Sequence, residues 1–536
     1  MKVYAAAAAG GLPFAAKFGI IIIFIEKVRH FSAEKSKRAL LLAVLRAGGQ
    51  GEDMNHKLIG RILGIILMLE CLCMLVPLVV SLLYREQTMA LTFCRAAIFC
   101  GVPGLLLSSL TRKSEQKVQV RDGFLAVSLC WVAMSVFGAL PYWLSGYFPS
   151  AVDALFESFS GFTTTGATLI GDVEVLPRGL LFWRSFTQWL GGMGVLVLSL
   201  ALLPKLGAGS IHLLRAESPG PIKTKLAPKL GESAKILYLI YIILTAAETL
   251  CLRLAGMSWY DSIVHAMATV ATGGFSSCTA SLGAYDSFAV NAIVVVFMLL
   301  SSLNFSVLYL TLIKRTMRLR DHSEIRIYLG MLTVFVAMIT LDLILHGEFG
   351  AWESLGHAIF QVISVSSTTA FVSTNYGQWP AFSQMLLLLL MMVGGCAAST
   401  AGGIKMQRVV LLFRMMYRQL QSMVHPRVVR TICVDGHRVE EPVLNMALLY
   451  FFCYILLVIV MAGAAAMDGH SLGTSVSAAI ACVSNTGTGI ELAGPSSTFN
   501  VFSAPSKLIL CFGMVAGRLE IMPLLLVLFP SVWTGK

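Results

Sequence analysis

Charge is scarce in this chain. Of its 536 residues, 13% are Asp, Glu, Lys or Arg and 57% are hydrophobic, and the mean hydropathy is +0.79. Soluble globular domains carry about a quarter charged residues, so that class is excluded. Paired Cys/His spacing is missing too. The twelve cysteines fall mostly inside apolar runs (Cys71, Cys73, Cys94, Cys100, Cys130, Cys453, Cys511) and read as reduced, small apolar residues, with neither a zinc site nor a disulfide framework. No Gly-rich phosphate loop follows a strand pattern, so a nucleotide site or other organic cofactor is not expected in this chain. A membrane-embedded enzyme would need convergent acid/base or ligand groups. His265 and His357 lie in short apolar segments without a carboxylate or Cys partner at ligand spacing, which argues against one.

Long apolar runs are plentiful. Leu58–Tyr84, Gly123–Leu144, Leu180–Leu203, Ile236–Leu254, Val290–Ile313, Tyr328–Leu345, Ala381–Val393, Val443–Met467 and Leu508–Phe529 mostly approach the ~20 residues a helix needs to cross a bilayer. They predict an all-α polytopic membrane protein. The formal charge of +12 concentrates in alternate loops: Arg112 to Arg121, Lys205 to Lys235, Lys314 to Arg326 and Lys405 to Arg438. Intervening loops lean acidic, with Asp153, Asp172, Glu174, Asp261, Asp286, Glu348, Glu353, Asp468 and Glu491. The positive-inside rule puts the basic set in the cytoplasm, so the excess charge is topological and implies no nucleic-acid partner.

One signature returns four times. Thr165-Gly166, Thr272-Gly273, Thr369-Ala370 and Thr486-Gly487 follow short apolar runs at spacings of 107, 97 and 117 residues. The Thr-Gly pair occurs five times in all; Thr488-Gly489 extends the fourth copy and one pair lies in the C-terminal tail. A lone pair would be a turn. Four at membrane depth suit an ion-selective pore, because glycine can turn its carbonyl through φ > 0 and backbone oxygens can replace a cation's hydration shell. Short helices aiming their C-terminal ends at the cavity would add negative potential.

The chain therefore divides into an N-terminal extension (1–53), an accessory transmembrane hairpin (54–115) and four units of helix, short helix, loop and helix (116–215, 216–320, 321–430 and 431–536) around one pore. The extension, with Ala5–Ala9 of low complexity and Phe18–Ile25 too short to span, is disordered, loosely membrane-associated, or the product of a misassigned start. Within the third unit, Gly394-Gly395 and Gly402-Gly403 bracket a run of small residues that ends just before Lys405. Such a run either packs helices closely or unwinds in mid-membrane, where it could block the ion path. Arg518 and Glu520 interrupt the last apolar run; either an internal Arg–Glu or Arg–carbonyl pair holds helices together there, or Arg518 stands near the pore as an electrostatic barrier. Gly191-Gly192-Met193-Gly194 reads as a close-packing patch.

The stretches SGFTTTGAT (160–168), FWRSFTQWLGGMGVLVL (182–198), ATGGFS (271–276), GGCAASTAGGIK (394–405), HPRVV (425–429) and GRLEIMPLL (517–525) resemble the Trk/Ktr/HKT superfamily of potassium transporters, and within it the TrkH branch. The resemblance runs from about Met54 to the C-terminus and implies four such units around one pore, in a homodimer of the bacterial inner membrane. It implies passive or weakly coupled K⁺ uptake and a cytosolic nucleotide-binding TrkA-like ring on the basic face. K⁺ is then the transported ion. Filter residues become Thr164, Thr165 and Gly166; Thr272 and Gly273; Thr369 and Ala370; Asn485, Thr486 and Gly487, with K⁺ at Thr165, Thr272, Thr369 and Thr486. The gate becomes Gly394, Gly395, Gly402, Gly403 and Lys405, opposed by Arg518. Ala370, in a place where the family's filters use glycine, predicts weakened K⁺ over Na⁺ discrimination, and a Na⁺-permeable or Na⁺-coupled transporter is the alternative. Ala398 and Ala401, at gate positions where the family uses glycine, predict a stiffer gate loop.

Overall fold

A backbone in lipid must satisfy its own hydrogen bonds, and the apolar runs of this chain accordingly become helices. The computed structural model describes residues 55–111, 120–194, 230–313, 321–425 and 430–527. These lie within one unit, Asn55–Phe529. The N-terminal extension 1–53, the basic stretches 112–117, 205–229 and 314–320, the end of the Leu180–Leu203 run and most of HPRVV lie outside the described residues. Six described helices are long and apolar enough to span a membrane, seven if one bent pair counts as a single span. Their outward faces carry exposed large apolar side chains such as Leu72, Leu83, Phe99, Leu254, Val334 and Phe452.

The first two helices, α1 (His56–Leu83) and α2 (Gln87–Leu110), form a hairpin. Gly64 and Gly104 let it close: a Cβ on Gly64 would lie 2.6 Å from the Ser108 amide nitrogen, and one on Gly104 would lie 3.0 Å from that of Met68. Next come α3 (Val120–Gly138), α4 (Leu140–Ser145), the short α5 (Ala151–Phe162) and α6 (Arg178–Gly192). The same succession of long, short and apolar helix follows in α7 (Leu230–Leu254), α8 (Trp259–Val270) and α9 (Phe288–Ser302), which the four-residue α10 (Phe305–Leu308) extends. It recurs in α11 (Ser323–His346), α12 (Ala351–Ser366) and α13 (Ala381–Val393). After α14 (Met406–Val424), α15 (Glu441–Ala466), α16 (Leu472–Val483) and α17 (Ala504–Arg518) repeat it, and α18 (Met522–Val527) ends the described chain.

Three of the short helices start on a serine N-cap. Ser150, Ser258 and Ser471 accept from the amides of Val152, Asp261 and Thr474. One departure from helix is a two-stranded hairpin between α14 and α15, β1 (Cys433–Val434) and β2 (His437–Arg438), turned by Asp435 and Gly436 with positive φ. A small core of Leu411, Ile432, Val434, Val439, Leu444 and Ala447 seats it.

Breaks in the inner helices are more general than the sequence suggests. The small-residue run in 394–403 predicts an unwound helix in the third unit alone. In the structure α6 stops at Gly192, α9 turns by 103° after Ser302, α13 stops at Val393 and α17 stops at Arg518. The third differs in length: a loop of twelve residues, 394–405, separates α13 from α14. The close-packing reading of Gly191 and Gly192 agrees with the space around them, since a Cβ on Gly192 would lie 2.9 Å from Ala271, and one on Gly191 would strike the Phe162 carbonyl.

Candidate functional site

Each short helix runs into a loop built to one backbone plan. Two residues with positive φ bracket a third: Thr164 and Gly166 (55° and 83°), Thr272 and Gly274 (54° and 78°), Thr368 and Ala370 (58° and 56°), Asn485 and Gly487 (54° and 88°). Amide bonds repeat the same offsets. The first residue donates three back (Thr164 to Gly161, Thr272 to Thr269, Thr368 to Val365, Asn485 to Cys482). The middle residue donates five back (Thr165 to Ser160, Gly273 to Ala268, Thr369 to Ser364, Thr486 to Ala481). The four triplets are thus Thr164-Thr165-Gly166, Thr272-Gly273-Gly274, Thr368-Thr369-Ala370 and Asn485-Thr486-Gly487.

This register corrects the second loop. Pairing Thr-Gly with Thr-Gly matches Thr272 to Thr165, whereas the backbone matches Thr272 to Thr164 and Gly273 to Thr165. Pairing by residue type fails there because Gly273 stands at the middle position and Gly274 takes the left-handed one.

The loops abut. A Cβ on Gly166 would strike the carbonyl oxygen of Gly273; one on Gly274 would strike that of Thr369; one on Gly487 would strike that of Thr165. First loop meets second, second meets third, and fourth meets first. Asn485 adds a bond across the last junction, its Nδ2 donating to Thr165 Oγ1 at 3.0 Å and to the Met514 carbonyl at 2.8 Å. Every side chain at the first position is buried. The short helices end at these loops, so their C-terminal partial negative charge faces them.

Polar side chains behind the loops hold them in place. Glu157 of α5 accepts from Arg184 Nε at 2.8 Å, from Thr168 Oγ1 at 3.0 Å and from the Leu169 amide at 3.2 Å. Arg184 also donates to Thr168 Oγ1 at 3.1 Å, and its guanidinium covers the Phe275 ring at 4.1 Å. His265, at the same place in α8, bonds Ser276 Oγ at 2.9 Å, while its other ring nitrogen lies 2.8 Å from the Asp261 carbonyl. Gln188 donates to the Gly273 carbonyl at 2.7 Å and accepts from the Phe275 amide at 3.0 Å. His357, in α12, lies 3.4 Å from Ser373 Oγ. Among the described residues no cluster of three or more His, Cys, Asp or Glu could hold a metal ion.

The 394–405 loop docks against these triplets. Gly402 donates its amide to Thr368 Oγ1 at 2.7 Å, and a Cβ there would strike the Ser484 carbonyl. Thr400 Oγ1 reaches the carbonyls of Val270 and Ser301, 3.1 Å each. Arg518 donates to the carbonyls of Thr400 (2.7 Å), Gly191 (2.7 Å) and Gly192 (2.6 Å), so the loop is tied to α6 and α17 through one guanidinium. Lys405 Nζ bonds the Ala401 carbonyl, and Glu324 Oε1 accepts the Ala397 amide at 2.7 Å. Gly394 and Gly403 have positive φ, as do Ala398 (54°) and Lys405 (75°). Glu520 pairs with Arg408.

Arg518, the glycine pairs and the triplets are therefore brought together. Arg184, Gln188, Glu157, Glu324 and Thr400 were not singled out by sequence. Arg184 and Gln188 left a readable trace, being polar residues four apart within an apolar helix and so on one face.

The chain matches the TrkH family, described as a cation transport protein, over residues 90–532. It is 37% identical to the Trk system potassium uptake protein TrkH of Escherichia coli (strain K12) over 485 residues, 90% of this chain and 100% of that protein. Against TrkH of Vibrio parahaemolyticus it is 38% identical over 489 residues, again 90% and 100%. The crystal structure of the potassium transporter TrkH from Vibrio parahaemolyticus superposes with a TM-score of 0.80 at 35% identity, covering 90% of this chain and 100% of that one. With matches of this extent in sequence and in fold, the chain is a multi-span membrane protein that belongs to the TrkH cation transport family.

Proposed function

We propose that this chain is the pore-forming subunit of a Trk-type potassium uptake system. K⁺ passes between the four triplets, shedding water for carbonyl oxygens of Thr164-Thr165-Gly166, Thr272-Gly273-Gly274, Thr368-Thr369-Ala370 and Asn485-Thr486-Gly487. The observation that carries the reading is the recurrence of one backbone plan, with left-handed residues at the same two places in four loops that touch in succession. Four units (116–215, 216–320, 321–430 and 431–536) then surround one axis, behind an accessory hairpin at 54–115. No carboxylate sits in the triplets, so selectivity rests on dipoles and geometry.

The 394–405 loop is the gate. Its bonds to Thr368, Val270 and the Arg518 guanidinium hold it against the cytoplasmic side of the filter. The basic loops face the cytoplasm of a bacterium, where a TrkA-like nucleotide-binding ring docks, and two copies of the chain pair in the inner membrane. Ala370 favours a second reading, a filter that also admits Na⁺. Uptake of radiolabelled Rb⁺ and Na⁺ into proteoliposomes separates the two. A high Rb⁺/Na⁺ ratio with rescue of a K⁺-uptake-deficient strain supports K⁺ uptake; equal fluxes support the Na⁺-permeable reading; no flux of either overturns both.

A further inference from the structure

The second loop departs from the other three at its middle position. Thr165, Thr369 and Thr486 stand there in the first, third and fourth, each preceded two residues earlier by a hydroxyl (Thr163, Ser367, Ser484). In the first and third loops the two hydroxyls bond, at 2.7 Å and 2.8 Å. The second loop carries Ala271 and Gly273 at these places and has no hydroxyl at either.

A side chain from elsewhere fills the gap. A Cβ built on Gly273 would lie 2.6 Å from Gln188 Oε1 and 2.8 Å from its Nε2. The Gln188 amide therefore occupies the space in which a threonine side chain would begin. It is fully buried, and it bridges the Gly273 carbonyl and the Phe275 amide. We propose that Gln188 is a specificity-determining positioning residue, standing in from α6 for the threonine side chain that the second loop lacks and setting the direction of the Gly273 carbonyl.

The physical need is local. Glycine restrains neither adjacent peptide plane, so a Gly273-Gly274 pair could rotate its carbonyl away from an ion. The Gln188 amide accepts from the 274–275 peptide and donates to the 273–274 peptide just before it, and so fixes the two planes that flank Gly274. Gly273 is in turn required, because Gln188 leaves its Cβ no room. Each residue explains the other.

The inference rests on reading the triplets as a K⁺ filter, and a double-mutant cycle tests it in proteoliposomes carrying the full chain. Gln188→Met keeps the volume and removes both bonds; the Rb⁺/Na⁺ permeability ratio is expected to fall by roughly tenfold, the scale of one buried hydrogen bond. Gly273→Thr alone drives its side chain into Gln188 and lowers the ratio as well. Gln188→Ala alone also lowers it, and the double variant Gln188→Ala/Gly273→Thr makes room for the threonine and restores the ratio above Gln188→Ala and above Gly273→Thr, a coupling that independent sites do not show. An unchanged ratio in Gln188→Met overturns the proposal. So does a double variant no better than the worse single, or variants whose only defect is a lower yield of folded protein. If the parent protein passes neither ion, the filter reading fails and this one with it; if the parent is selective, failure belongs to Gln188 alone.

Discussion

Ala370 occupies a left-handed conformation, φ 56°, where the other three loops have glycine. A Cβ makes that region costly by roughly 1 kcal/mol or more, and the surrounding contacts have to hold it. At the three glycines a Cβ would strike the next loop's carbonyl, so the alanine also marks the one junction built to admit a methyl group. Ala370→Gly is expected to relieve the strain, raising stability by about 1 kcal/mol in thermal unfolding and increasing the Rb⁺/Na⁺ permeability ratio. An unchanged ratio would show that the methyl group does not bear on selectivity. Gly166→Ala should do the opposite: its Cβ meets the Gly273 carbonyl, and uptake should be lost while the protein still assembles. Ala398 shows the same strain inside the 394–405 loop, whereas Ala401 does not, so of the two alanines there only the first opposes its backbone. Sequence alone treats the pair alike, because φ is set by the fold around a residue.

Among the elements, the 394–405 loop is tied down by hydrogen bonds from several helices. Arg518 supplies one of them, to the Thr400 carbonyl, and anchors the same five-donor guanidinium on the Gly191 and Gly192 carbonyls of α6. Removing a charged donor typically costs about 1.5–3 kcal/mol, so Arg518→Gln is expected to shift the loop toward the open state by roughly tenfold or more. Basal Rb⁺ uptake without a cytosolic partner measures it, and uptake equal to the parent's would speak against a gating role. The short helices carry a pH dependence at the start of α16. The Ser471 and Thr474 hydroxyls bond the Glu491 carboxylate, and with the Thr474 amide they hold it below the usual carboxylate range. A depressed value stabilises the folded state above the ordinary value of roughly 4.3, and the stabilisation disappears as pH falls through the folded value. Thermal unfolding of Glu491→Gln against the parent should therefore differ at neutral pH and converge as pH falls below the ordinary carboxylate range.

At the scale of the molecule, distant stretches of chain are joined by buried ions. Lys507 of α17 donates to Asp153 at the start of α5 at 2.7 Å and to Asn500 at 3.1 Å, linking residues 354 positions apart. Both partners are nearly inaccessible, with side-chain exposures of 7% and 12%. Removing one member of such a pair leaves the other charge buried, at a cost of about 3–5 kcal/mol, whereas replacing both by apolar groups can be neutral. Lys507→Met should lower the melting temperature of the purified protein markedly, and Lys507→Met/Asp153→Leu should recover most of the loss. Arg184 and Glu157 make the matching bond behind the first two loops, so the triplet loops are braced from behind by ion pairs and amides.

Hydrophobic run length and the Thr-Gly signature are local properties, so the membrane class, the positions of the helices and the four loops are legible in the chain alone. Helix α15 falls within two residues of its apolar run at each end. The register of the second loop comes from the folded backbone, since Thr272-Gly273-Gly274 offers two ways to pair and hydrogen bonds choose one. It also decided where the inner helices of the second, third and fourth units are interrupted, which depends on carbonyls and glycines meeting across elements. Gln188 shows the reason most directly. Its polarity was visible inside an apolar helix, but its meaning lies 85 residues away, in a loop whose missing side chain it replaces.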